Sequence, residues 1–177
     1  MLVYVLSDLH LSYNNKLPVW IINKIKNSDL VLINGDITSK NILDEICSHA
    51  KCIAVRGNCD NLKLPSLNVF EIDGIKCGQV HGDSISPRGD WDQLYNLAES
   101  LEVNILFTGH THNYSVYEYK KKLFINPGSA TGTPGLICDR EIGTIAEIII
   151  NKNQIQVKII SEENTLLELN FNKDSFK

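Results

Sequence analysis

The sequence predicts an α/β protein, a two-sheet β-sandwich flanked by helices in four layers, α/β/β/α. Three observations predict it. The N-terminal half alternates apolar strand-like runs with stretches of helical periodicity, which implies a parallel sheet with right-handed crossovers. The C-terminal half pairs its runs across short polar turns, which implies antiparallel additions. Asp, Asn and His residues gather just after five of the strands, where ligands bind in an open α/β sheet.

The elements follow in order. Leu2-Val3-Tyr4-Val5-Leu6 is an apolar run closed by Ser7-Asp8 and reads as a buried strand. Residues 18–27 carry Val19, Ile22 and Ile25 at helical spacing, with Pro18 permitted in the first turn. Residues 30–33 are a second strand, 42–50 a second helix and 52–55 a third strand. Residues 69–72 and 75–80 flank Asp73-Gly74, a hairpin turn. Residues 91–101 read as a helix with Asp90 as N-cap and Gln93 set to complete a capping box. A strand at 105–107 follows. Residues 115–119 then pair with 123–125 across a solvated Lys120-Lys121-Lys122 turn, and 142–150 with 155–160 across Asn151-Lys152-Asn153. Residues 166–171 add a last strand, and 172–177 are expected to fray.

Composition bounds the function. The chain has 177 residues, 43% of them hydrophobic and 21% charged, which excludes a disordered chain and fits one domain over 1–177. A net charge of −4 argues against broad electrostatic binding of nucleic acid. No apolar run approaches the roughly 18 residues of a membrane span. The start, MLVYVLSDLH, lacks the features of a secretory signal, so a cytoplasmic protein is expected. The five cysteines are odd in number and form no C-x-x-C pair, so all are expected to be reduced thiols.

The chemistry sits after the strands. Ser7-Asp8-Leu9-His10, Asn34-Gly35-Asp36, Arg56-Gly57-Asn58-Cys59-Asp60, His81-Gly82-Asp83 and Gly109-His110-Thr111-His112 follow successive apolar runs. Four of the five histidines lie there, and the fifth, His49, falls in a helical stretch and reads as an ordinary residue. Nitrogen and oxygen donors without thiolate suit Mn, Fe, Co, Ni or Zn. Seven donors are too many for one tetrahedral site, but suit two ions about 3.5–4 Å apart that share a carboxylate. Two dications less two aspartates leave roughly +2 to hold hydroxide and an anionic phosphate.

D-x-H, G-D, G-N-x-D, H-G and G-H-T-H, in this order, resemble the calcineurin-like metallophosphoesterase family. The small size, Asn126-Pro127-Gly128-Ser129 and the segment from His81 to Asp90 resemble its short phosphodiesterase branch, which includes the retromer subunit vacuolar protein sorting 29. The resemblance implies Asp8, His10 and His112 on a first ion and Asn58, His81 and His110 on a second. Asp36 would bridge them, with a hydroxide between the ions as attacking group. Asp60 would orient a ligand or the loop; Asn58 and Cys59 would face substrate. Arg88 could reach a substrate phosphate, as arginines often do, with a solvated loop charge as the favoured alternative. The implied cofactor is two divalent ions, Mn first, with Ni, Co, Fe or Zn as alternatives. The implied substrate is a small phosphodiester.

One position departs from the pattern. Many members of the family read G-N-H-[DE], and Cys59 stands where that imidazole would be. A thiol with an ordinary pKa of about 8.5 is a poor proton donor to a leaving group at neutral pH, so slow hydrolysis is expected. The alternative is a retromer-like interaction scaffold with a vestigial site, binding a protein partner through loop 133–137, where Leu136 and Ile137 are apolar.

Overall fold

The computed structural model describes residues 1–12, 14–135 and 142–176. β1 (Leu2–Leu6), β2 (Leu30–Asn34) and β3 (Cys52–Val55) pair in parallel, with the crossovers made by α1 (Val19–Ile25) and α2 (Lys40–His49). β4 (Leu67–Ile72) and β5 (Ile75–Val80) form the Asp73-Gly74 hairpin, both turn residues at positive φ. α3 (Trp91–Ser100) leads to β6 (Ile105–Phe107), then β7 (Tyr114–Tyr119) and β8 (Lys122–Pro127). β9 (Ile145–Ile150), β10 (Gln154–Ile160) and β11 (Thr165–Asn172) close the chain as an antiparallel meander. One sheet has the order β11-β10-β9-β1-β2-β3 and the other β4-β5-β6-β8-β7.

Strand alternation explains why the central runs are apolar throughout. Val3, Val5, Leu30 and Leu32 face the other sheet, where they meet Ile105, Phe107, Leu123 and Ile125. Tyr4, Leu6, Val31 and Ile33 face outward onto α1 and α2. Leu106 and Phe124 face outward onto α3. Both faces of each central strand are covered, so each reads as a continuous hydrophobic run. Truncating a fully buried side chain such as Phe107 to Ala would cost about 3–5 kcal/mol. Among the described residues no helix is long and apolar enough to cross a membrane.

The structure corrects five expectations. α1 buries Ile21 and Ile25, one helical turn apart, whereas Val19 is 70% exposed. Asp90 caps α3 through Gln93 N at 2.9 Å, but the Gln93 side chain bonds Ser86 and leaves the capping box half made. Lys122 belongs to β8: its ammonium is buried against the Val103 carbonyl and Glu99, both at 2.7 Å, and only Lys120 and Lys121 turn the hairpin. Residues 173–176 form a short 3-10 helix with Phe176 buried between the sheets, so this end is packed, not frayed. Cys47 and Cys52 form a disulfide, because the last turn of α2 and the start of β3 bring their Cα atoms to 5.5 Å. Cys59 and Cys77 are free, and Cys138 lies outside the described residues.

Candidate metal centre

The strand tips converge at one end of the sandwich. Asp8 and His10 follow β1, Asp36 follows β2, and Asn58, Cys59 and Asp60 follow β3. His81 follows β5; His110 and His112 follow β6. Asp8, His10, Asp36, His110 and His112 all have φ between 45° and 67°, in the left-handed region. This costs an L-residue roughly 1–2 kcal/mol, and such outliers collect at functional sites.

Three groups of donors lie within 4.8 Å of one another: Asp8, His10 and His112; Asp8, Asp36 and His81; and His10, Asp36 and Cys59. Asp36 Oδ2 stands 3.5 Å from His10 Nε2 and 3.4 Å from His81 Nε2, between two imidazoles. His81 Nε2 is also 3.2 Å from Asn58 Oδ1. His110 falls in none of these groups; its ring centroid is 5.0 Å from that of His81, and it lines the same cleft as Arg88 and Cys59. His49 is exposed at the end of α2 and belongs to none of these donor groups.

The donors fit a cation. Asp8 is fully buried, and its Oδ2 accepts from Ser7 Oγ at 2.7 Å and from His110 N at 2.9 Å. Its Oδ1 accepts no hydrogen bond and faces the Nε2 atoms of His112, His10 and His81 at 3.2, 4.0 and 4.0 Å. A buried, unpaired carboxylate oxygen ringed by imidazole nitrogens is a costly arrangement unless a positive charge sits among them. The imidazoles are also aimed from behind, His81 by the Asn34 carbonyl at 2.7 Å and His112 by the Thr133 carbonyl at 2.8 Å. Such bonds fix which nitrogen is free to ligate.

The electrostatics say the same. Burial works against ionisation of Asp36, but the hydrogen bond and charge of His81, the Cys59 N–H and the charge of His10 hold it well below the usual carboxylate range. Burial likewise opposes a proton on His81, and its carboxylate neighbours still raise it. The Asp8 carboxylate, 3.2 Å from its Nε2, raises His112. Burial, then the charges of His81 and Arg88, lower His110. Burial and the charges of Asp36, Asp60 and Asp8 push the Cys59 thiol up.

Glycine is required at two of the tips by close approach. A Cβ on Gly57 would strike the Asp36 carboxylate, and one on Gly109 would strike Ser7 Oγ. Asp60 points away from the donors: its carboxylate accepts from Gly57 N at 2.8 Å and Thr38 N at 2.6 Å, tying down the loop that carries Asn58. Several supporting residues escape sequence reasoning. Gln79 lies wholly buried on the inner face of β5 and bonds Asn34 Oδ1 at 2.9 Å and the Ile33 carbonyl at 3.0 Å, linking the two sheets beneath the site. Ser129 Oγ donates to the Asp8 carbonyl at 2.8 Å, and Asn126 Nδ2 to that of Gly109 at 2.8 Å. A polar residue in an apolar strand is the one signal that marks Gln79. Arg88 reaches the His110 carbonyl at 3.5 Å from the cleft wall. Of loop 133–137, Pro134 and Gly135 line the cleft, whereas Leu136 and Ile137 lie outside the described residues.

Comparison with known proteins gives four likenesses. The sequence profile of the calcineurin-like phosphoesterase superfamily domain matches residues 1–141. A probable metallophosphoesterase of Methanocaldococcus jannaschii is 42% identical over 133 residues, 74% of this chain and 69% of that protein. A zinc-complexed Vps29 from Entamoeba histolytica superposes with a TM-score of 0.85 at 27% identity, covering 97% of this chain and 99% of that one. A structure described as a novel archaeal phosphodiesterase shares the fold, with a TM-score of 0.69 at 23% identity over 90% of this chain and all of that one (100%).

Proposed function

This chain belongs to the calcineurin-like phosphoesterase superfamily and is a metal-dependent phosphoesterase; we propose that it is a phosphodiesterase working with two divalent ions. The observation that carries this reading is the position of Asp36, whose Oδ2 lies between His10 and His81 at nearly equal distance. Asp8, His10 and His112 would hold one ion, and Asn58, His81 and His110 the other, with Asp36 shared. Ions of the Mn, Fe, Co, Ni and Zn class, once bound, supply Lewis-acid polarisation of the phosphoryl oxygens and a hydroxide for in-line attack.

The chain's own residues set the rest. Asn58 stands at the open side of the cleft, where its amide can donate to a phosphoryl oxygen. Arg88 on the cleft wall supplies a guanidinium suited to a phosphate's geometry. Asp60 keeps the Asn58 loop in register through two backbone bonds. No imidazole occupies position 59, so the leaving alkoxide gains little help from a proton donor. Esters with good leaving groups are therefore favoured.

The test is hydrolysis of bis(p-nitrophenyl) phosphate by metal-stripped protein titrated with Mn, Ni, Co, Zn and Mg, with Asp36→Asn as control. Metal-dependent turnover that the variant loses supports the reading, and absence of turnover with every ion overturns it. A second reading, an interaction scaffold with a weak site, draws on the likeness to Vps29 over 97% of this chain. It requires that Asp36→Asn leave partner binding intact and that Leu136→Asp abolish it.

A further inference from the structure

Cys59 is the donor the two-ion reading leaves over. Its Sγ forms the third compact group of the cleft, with His10 and Asp36, all ligand atoms within 4.8 Å of one another. The loop holding it is fixed on both sides. Cys59 N donates to Asp36 Oδ1 at 2.8 Å, and the neighbouring Asp60 carboxylate clasps Gly57 N and Thr38 N. The sulfur also lies 3.3 Å from Asn58 Nδ2, so it faces the cleft and not bulk solvent alone.

A second observation points to a cation beside this group, which shares His10 and Asp36 with the groups of Asp8. Asp8 Oδ1 is buried without a hydrogen bond and lies 4.0 Å from His10 Nε2, the nitrogen that also faces Asp36 at 3.5 Å. The partners of the thiol, Asp36 and Asn58 Nδ2, are themselves groups of the cleft. Among the described residues, Cys77 is buried between the sheets and Cys47 is bonded to Cys52, so no second thiol faces the cleft for disulfide exchange.

We propose that Cys59 is a sulfur ligand to the ion held by His10 and Asp36, and that it biases the centre toward thiophilic ions such as Zn, Co, Fe and Cd over Mn and Mg. On ligation the S–H bond gives its proton to solvent and the sulfur lone pair forms the bond to the metal; no electron is transferred. Soft sulfur among hard and borderline donors strengthens binding of the first group and does little for the second. The inference rests on the two-ion reading of the cleft and names which ions it selects.

The experiment loads metal-stripped protein with cobalt(II) and records its absorption spectrum. Visible ligand-field bands report cobalt in the cluster, and a near-ultraviolet sulfur-to-cobalt charge-transfer band reports thiolate ligation. The charge-transfer band is expected in the wild type and in Cys138→Ser, and its loss is expected in Cys59→Ser with the ligand-field bands retained. Competition of zinc against manganese should favour zinc less in Cys59→Ser by at least about tenfold, the low end of what even outer partners of a metal ligand contribute. Ligand-field bands without a charge-transfer band in the wild type, or a charge-transfer band that survives in Cys59→Ser, overturns the proposal while leaving the two-ion reading in place. Absence of ligand-field bands altogether overturns both.

Discussion

The two sheets contribute unlike chemistry to the cluster. β1, β2 and β3 end in Asp8, Asp36 and Asn58, so the six-stranded sheet brings the oxygen donors, with His10 its single imidazole. β5 and β6 end in His81, His110 and His112, so the five-stranded sheet brings only nitrogen donors. Two buried carboxylates on one sheet repel each other; neutral imidazoles on the other cannot relieve them without binding a proton. In the metal-free protein His81 and His112 do hold their protons more firmly than usual, which is how the seam compensates. A cation between the sheets would replace those protons and join the two layers through their ligands. The asymmetry teaches that charge is set by one sheet and geometry by the other.

The largest expected effect separates these roles. Asp36→Asn removes charge and the shared ligand together, and should lower metal-dependent hydrolysis by about 10³-fold, roughly 4 kcal/mol of barrier. His81→Asn removes one neutral donor and should cost less, about 10²-fold. Steady-state kinetics at saturating metal ranks them, and equal losses would break the division between charge and geometry. Next comes Gly109→Ala, whose methyl would collide with Ser7 Oγ behind Asp8. It should destabilise the fold by about 1–3 kcal/mol in denaturant titrations. A neutral result would mean that the two sheets do not meet as tightly as the geometry requires.

Metal itself should stabilise the seam by about 2.7 kcal/mol at a hundredfold excess over its Kd, read as a rise in Tm that a chelator reverses. Cys59→His should raise turnover of a diester with a poor leaving group by at least about tenfold, or 1.4 kcal/mol. Unchanged turnover on such an ester would show that the imidazole missing from position 59 does not limit the reaction.

The smallest effect is a pH dependence that changes sign with metal. His81 and His112 have raised folded pKa values, so their contribution to the metal-free protein is full below about pH 6.5 and fades as pH rises through those values. Asp36 is lowered, so its contribution is full above about pH 3.9 and is lost only as pH falls through its folded value. His110, held low, works modestly against the other two histidines in acid. Metal-free stability should therefore peak between about pH 4 and 6.5. With metal bound, stability should instead increase toward neutral pH, because the ligands bind it deprotonated. Thermal melts across pH with and without chelator check both signs.

Much of the fold is legible in the sequence because its central strands are buried on both faces. Runs such as Leu30-Val31-Leu32-Ile33 have no other reading, and the hairpin at Asp73-Gly74 carries its turn in two residues. The seven candidate donors are legible for a related reason: polar residues placed just after apolar strands stand out against the pattern. The residues that hold them are not. Ser7 looks like any loop serine until Gly109 is seen pressed against its hydroxyl. Asn34 reads as the end of a strand until Gln79 crosses from the other sheet to meet it. The outer face of α1 is equally ambiguous, because apolar residues at 19, 21, 22 and 25 permit more than one stripe, and only docking against β1 and β2 selects Ile21 and Ile25.

By itself the sequence determined the alternation of strands and helices, the Asp, Asn and His residues at the strand tips and the thiol where an imidazole is expected. These are local properties, set by periodicity over a few residues and by residue chemistry. Tertiary structure alone decided which tips meet, that Asp36 falls between His10 and His81, that Cys47 reaches Cys52, that Lys122 is buried, and that Cys59 joins a donor group. Each of these depends on how the two sheets pack, and packing brings together atoms whose separation along the chain carries no trace in local pattern.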